Sequence, residues 1–165
     1  MDPMLGFPRP ASEGRTEDGL LVLATPPGMS AVRELLRLYF QALTRESPEQ
    51  LEPLLTEQAV LESSSGRHPA RGALRAKFSQ LDLAALDGVP LYRERDVQLF
   101  RRGESDALLT DRAPELAPGQ VFARVPLAVS HSGKTRLLPD RIGFLIQRGP
   151  SGYRIATITE ELAAP

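Results

Sequence analysis

The chain has 165 residues, enough for one domain with a real core and too few for two comfortable ones. Hydrophobic residues at 41% and charged residues at 25% are ordinary globular proportions, which excludes a mainly disordered chain. The formal net charge is -1 and basic residues come in ones and twos, so neither nucleic acid nor an anionic membrane is an expected partner.

There is no cysteine, which removes disulfides, thiol nucleophiles and thiolate metal sites together. His68 and His131 lie far apart, each in an expected loop or turn, and no spaced carboxylates join them; no metal and no cofactor is expected. No apolar run approaches the roughly 18–20 residues that cross a bilayer. The run Leu20–Ala24 follows acidic residues instead of a basic segment and reads poorly as a secretion signal, so a cytoplasmic location is the expectation.

Residues 1–29 are broken by Pro3, Pro8, Pro10, Pro26 and Pro27 and by four glycines, and read as an arm with one short strand, Leu20–Ala24. From Ser30, placed to cap a helix, Val32, Leu35, Leu36, Tyr39, Phe40 and Leu43 recur at spacings of three and four and form one apolar stripe. Ser47-Pro48-Glu49-Gln50 marks a second helix start, with a serine cap and proline at the first helical position. Leu51, Leu54 and Leu55 form its buried face. Ala59–Ser63 reads as a strand, and a loop through His68 and Pro69 leads to a third helix carrying Leu74, Phe78 and Leu81.

Beyond Pro90 the period changes from helical to alternating. Tyr92–Arg102, Ala107–Arg112, Gln120–Ser130, Thr135–Arg148 and Tyr153–Glu160 read as strands, with Gly and Pro at the turns between them. Helices first and strands after describe an α+β fold: a cone-shaped, curved antiparallel sheet packed against three N-terminal helices. The expected domain spans residues 30–162.

Leu38–Leu43, Leu51–Leu55, Ala59–Glu62 and Arg71-Gly72 before a helix resemble the opening of the SnoaL-like and ketosteroid-isomerase-like superfamily, which shares the fold of nuclear transport factor two. Phe144–Ile146 and Tyr153–Ile155 resemble its closing hairpin, so the resemblance covers all but the arm. In ketosteroid isomerases a tyrosine of the first helix donates to the developing oxyanion, and Tyr39 stands at the matching place. The general base, an aspartate late in the first strand, falls on Ser63, with Glu62 one residue earlier; the second aspartate falls on Ile142. The resemblance thus implies the fold, a pocket and one of three catalytic roles.

Tyr39 is the expected hydrogen-bond donor, a role worth about 3–4 kcal/mol in a pre-organised site; as a stripe residue it also reads as core. Asp140 shares a strand face with Leu138, Ile142, Phe144 and Ile146, where burial would suit an acid or base; if the strand starts there, its carboxylate reaches water or Arg141 instead. Glu62 is a third candidate, at the pocket mouth. Phe40, Ser63, His68, Phe78, Ile142 and Phe144 are the expected ligand contacts, and Glu160 and Glu161 are expected to be solvated. Two functions follow. The first is a binding or assembly domain whose apolar cone holds a small hydrophobic molecule, pairing as a homodimer through an outer sheet face that carries Leu137 and Leu145. The second is an isomerase, dehydratase or cyclase without cofactor, with Tyr39 as donor and Asp140 or Glu62 as base. The first needs no catalytic set and accommodates Ser63 and Ile142.

Overall fold

The computed structural model describes residues 13–15, 21–23, 29–101 and 116–162. Two short strands, β1 (Glu13–Arg15) and β2 (Leu21–Leu23), pair antiparallel, so the single expected strand of this region has a partner. The expected strand over 107–112 lies outside the described residues.

Helix α1 (Ser30–Thr44) buries Val32, Leu35, Leu36, Tyr39, Phe40 and Leu43, the stripe set by its spacing. Met29, and not Ser30, is its N-cap, and no side chain caps it. Its far end closes with Glu46 in the left-handed conformation at φ 51°, while the Ser47 amide donates back to the Ala42 carbonyl at 3.0 Å. The Glu46 carboxylate then accepts from the amides of Leu83 (2.9 Å) and Ala84 (3.3 Å), tying a later turn to this corner.

The second helix is shorter than its leucine pattern suggests. Ser47 caps α2 (Pro48–Leu51), its hydroxyl accepting from the Gln50 amide at 3.1 Å. Pro53 offers no amide to continue an α-helix, and the chain tightens into a 3₁₀ turn, Glu52–Leu54, before β3 (Leu55–Ser63) starts. Leu51, Leu54 and Leu55 are buried as expected. The segment with His68 and Pro69 is a strand, β4 (Gly66–Pro69), hairpinned to β3, and not a loop. Helix α3 (Ala70–Gln80) follows.

The remaining strands are β5 (Gln98–Arg101), β6 (Gln120–Pro126), the small hairpin β7 (His131–Ser132) and β8 (Thr135–Arg136), β9 (Arg141–Gly149) and β10 (Gly152–Glu161). Three expected strands are therefore shorter, β6 ending at Pro126 instead of Ser130. A 3₁₀ turn at Glu94–Asp96 delays β5, and Leu137–Asp140 turn inward between β8 and β9. Leu137 and Leu138 are buried there, so Leu137 is core and not part of an outer face.

The six-stranded sheet runs β4–β3–β10–β9–β6–β5. Its ladders are antiparallel except β3–β10, where the last strand lies parallel to the first long one. Ala123, Val125, Ile142, Phe144, Ile146, Ile155 and Ile158 fill the concave side against α1. Tyr39 meets Phe40 and Phe144 edge to face, with centroids 5.2 and 5.1 Å apart, geometries worth about 0.5–1.5 kcal/mol each beyond area burial. On the opposite face Gly143 leaves room for Phe122, whose Cζ would stand 2.8 Å from any Cβ there.

β10 carries a bulge. Between Ile155 and Thr157 its register shifts against both neighbours: Ile155 pairs with Ile146, and Thr157 already with Leu145. The extra residue, Ala156, re-phases the strand. Before it Ile155 faces the core; after it Ile158 and Glu160 do, while Thr157 and Thr159 face out.

A candidate ligand cleft between α3 and the concave sheet face

α3 does not close tightly on the sheet. Between it and strands β3, β4 and β10 lies a cleft of about 490 Å³, lined by Leu61, Ser63, Ser65, His68, Pro69, Gly72, Ala73, Ala76, Lys77, Gln80 and Glu160. The pairing explains the lining. His68 pairs with Leu61, and Glu62 with Thr159, so Ser63 and Glu160 occupy neighbouring positions on the concave side. From α3, Ala70, Ala73, Leu74 and Lys77 form one face at helical spacing; Ala70 and Leu74 are buried, and Lys77 extends that face to the cleft.

The polar centre is an ion pair. Lys77 Nζ lies 3.1 Å from Glu160 Oε2, with side-chain exposures of only 25% and 14%. The expectation that Glu160 is solvated is therefore overturned: the bulge turns its carboxylate inward. Glu161, on the other face, pairs with Arg141. Beneath the pair Tyr39 is fully enclosed, at 1% exposure; burial pushes its phenol up, and the Glu160 carboxylate adds to the effect.

The three residues expected to be catalytic are not brought together. Tyr39 lies in the aromatic core behind the cleft. Glu62 stands on the outer sheet face, where it pairs with Arg67 and accepts from the Thr159 hydroxyl at 3.3 Å. Asp140 precedes β9 instead of sharing its apolar face, and its carboxylate accepts from Arg136 Nη1 at 3.3 Å. Of the expected ligand contacts, Ser63 and His68 line the cleft. Phe40, Ile142 and Phe144 fill the cone as core, and Phe78 packs half-buried against it. Lys77 and Glu160 were missed. Lys77 had a signal, since it continues the Ala70, Ala73, Leu74 spacing; Glu160 had none, because a bulge cannot be read from alternation.

Two other depressions differ in kind. One of about 390 Å³ lies along α1, where Arg37, Phe40, Thr44, Asp87, Tyr92 and Glu94 meet. There the Tyr92 phenol is pushed up to about 12, by burial first and then by the Glu94 carboxylate. Another of about 510 Å³ borders the outer side of β3 and β4 at Glu57, Arg67 and Arg71. Neither holds charges as enclosed as the Lys77–Glu160 pair. Among the described residues no cluster of His, Asp and Glu is arranged to hold a metal, and no helix is long and apolar enough to cross a membrane.

A mixed sheet curved around a long first helix, with a short third helix over its open side, is the architecture of the cone-shaped α+β proteins. Comparison with solved structures specifies the fold as that of nuclear transport factor two-like (NTF2-like) proteins, also termed cystatin-like. An NTF2-like protein with a cystatin-like fold from Novosphingobium aromaticivorans superimposes with a TM-score of 0.54 at 15% identity, over 82% of this chain and 82% of that one. A protein of the DUF3225 family from Pectobacterium atrosepticum gives 0.55 at 17%, over 92% and 100%. A cystatin-like protein of unknown function from Nostoc punctiforme gives 0.51 at 14%, over 84% and 93%. No known family's sequence profile matches the chain, and no curated protein does. At these identities the likeness establishes the fold alone.

Proposed function

We propose that the chain is a small-molecule-binding domain whose ligand enters the cleft between α3 and the concave sheet face. The observation that carries this is the Lys77–Glu160 pair: two opposite charges, mostly enclosed, in a cleft whose other lining residues are part apolar and part polar. Ligand sites combine such an apolar wall with a few fixed polar groups. Leu61, Pro69, Ala73 and Ala76 supply the wall, and Ser63, His68 and Gln80 supply further hydrogen-bonding partners at the rim.

The alternative, an acid–base enzyme using Tyr39 with Asp140 or Glu62, requires groups that converge on one substrate. The separate surroundings of these three residues weigh against it. Pairing of two copies through the outer sheet face has weaker support: Leu145 is half-buried there, flanked along β9 by Gly143 and Gln147.

The test is a thermal-shift screen of small amphipathic compounds on the full chain and on Ala76→Phe. Ala76 is exposed at the cleft, so a phenylalanine there fills the space without entering the core. A ligand at about 100 times its Kd stabilises by about 2.7 kcal/mol, and the rise in Tm should disappear in Ala76→Phe while surviving Asp140→Asn. Hits that persist in Ala76→Phe would place the ligand elsewhere and overturn the proposal.

A further inference from the structure

The same ion pair restricts what the cleft accepts, an inference that rests on the binding function just described. Lys77 and Glu160 stand 3.1 Å apart and cancel one another; Ser63, Ser65 and Gln80 add no charge, and His68, on β4, is the one other titratable group in the lining. A ligand carboxylate placed on Lys77 would lie close to the Glu160 carboxylate. With both side chains mostly enclosed, that repulsion offsets the new contact. A ligand ammonium placed on Glu160 meets Lys77 in the same way. Either one also gives up its hydration without gaining net charge compensation.

A neutral group with an acceptor and a donor side by side has neither difficulty. Its carbonyl accepts from Lys77 Nζ, its N–H or O–H donates to a Glu160 oxygen, and the ion pair stays intact. Primary amides, lactams and α-hydroxy-ketones have this arrangement; an open-chain secondary amide, trans at its C–N bond, points the two groups apart. The alanines of α3 leave a flat apolar wall beside it, suited to a ring or a short chain. We propose that the cleft selects uncharged amphipathic molecules whose polar end pairs a carbonyl with an adjacent N–H or O–H, and discriminates against carboxylates and amines of the same skeleton.

Three compounds of nearly equal size test this: phenylacetamide, phenylacetate and 2-phenylethylamine. Each is titrated into the isotopically labelled full chain near neutral pH, following the backbone amide resonances of Ala73 and Ala76. The amide should bind at least about ten-fold more tightly than either ion, about 1.4 kcal/mol. In Lys77→Met the lone Glu160 carboxylate should shift the preference to the amine; in Glu160→Gln the lone Lys77 should shift it to the carboxylate. A wild-type chain that prefers phenylacetate or phenylethylamine overturns the selectivity and leaves the binding function standing. If none of the three moves those resonances, both fall. The wild-type ranking decides the matter even if a variant fails to fold.

Discussion

Among the described residues, folding raises two phenols, Tyr39 and Tyr92. Burial is the main cause that raises Tyr39 and Tyr92, seconded by Glu160 and Glu94 respectively. An acid raised on folding keeps its proton longer in the native state than in the unfolded chain. Its contribution to stability is therefore complete below the ordinary phenol value of 10.0 and is lost as pH climbs toward about 12 for Tyr92 and beyond for Tyr39. Urea midpoints should fall steadily over that window, and Tyr92→Phe should flatten the first part of the fall. Phenolate absorbance recorded alongside should show Tyr39 ionising only with unfolding. If its signal appears while the tertiary circular dichroism is intact, the enclosure of Tyr39 is wrong. The α1 spacing predicts that Tyr39 is core, but not that a charge sits beneath the cleft next to it. Lys77 is the opposite case, since its place after Ala70, Ala73 and Leu74 can be read from helical spacing alone.

At the scale of elements, the bulge at Ala156 decides which side of β10 the site occupies. Strict alternation from Tyr153 puts Ile155, Thr157, Thr159 and Glu161 on one face, and so sends Glu160 outward. One extra residue reverses this for the second half of the strand. Nothing in Arg154-Ile155-Ala156-Thr157 announces a bulge, because no glycine or proline marks it. This is why the helical stripe of α1 and the closing hairpin were legible and the cleft's carboxylate was not. Two other departures have visible causes: Pro53 cut α2 short, and Pro139 lies in the break before β9. Deleting Ala156 removes the bulge but leaves Thr157, Ile158 and Glu160 in their present pairs, so Ile158 and Glu160 should stay inward at little cost in stability. Inserting one alanine between Thr157 and Ile158 should instead turn Ile158, now fully buried, toward solvent. The expected loss is about 2–5 kcal/mol, as for emptying a core position, together with loss of cleft ligands. Equal urea midpoints for the insertion and the wild type would show that the register of β10 does not control the facing.

For the whole molecule, the strand order makes β10 the keystone. The β3–β4 hairpin meets the β9–β6–β5 meander only across it, through a parallel ladder on one side and an antiparallel one on the other. The β9–β10 hairpin follows from the short turn at Gly149-Pro150-Ser151-Gly152, but the parallel closure does not, since no local signal joins Leu61 to Ile158 across nearly a hundred residues of chain. Until β10 arrives, the apolar stripe of α1 has the inward faces of β3 and β9 available but nothing that fixes their spacing. A chain ending at Gly149 should therefore collapse without packing: far-ultraviolet circular dichroism near that of the full chain, near-ultraviolet signal lost, and exposed apolar surface that binds a hydrophobic dye. Supplying a peptide spanning Gly152–Glu161 in trans should restore the near-ultraviolet signal, and the same peptide with Ile155 and Ile158 changed to serine should not. Cooperative urea unfolding of the truncated chain alone would mean that the two halves of the sheet are held together by the helices, and β10 would then be a replaceable strand and not the keystone.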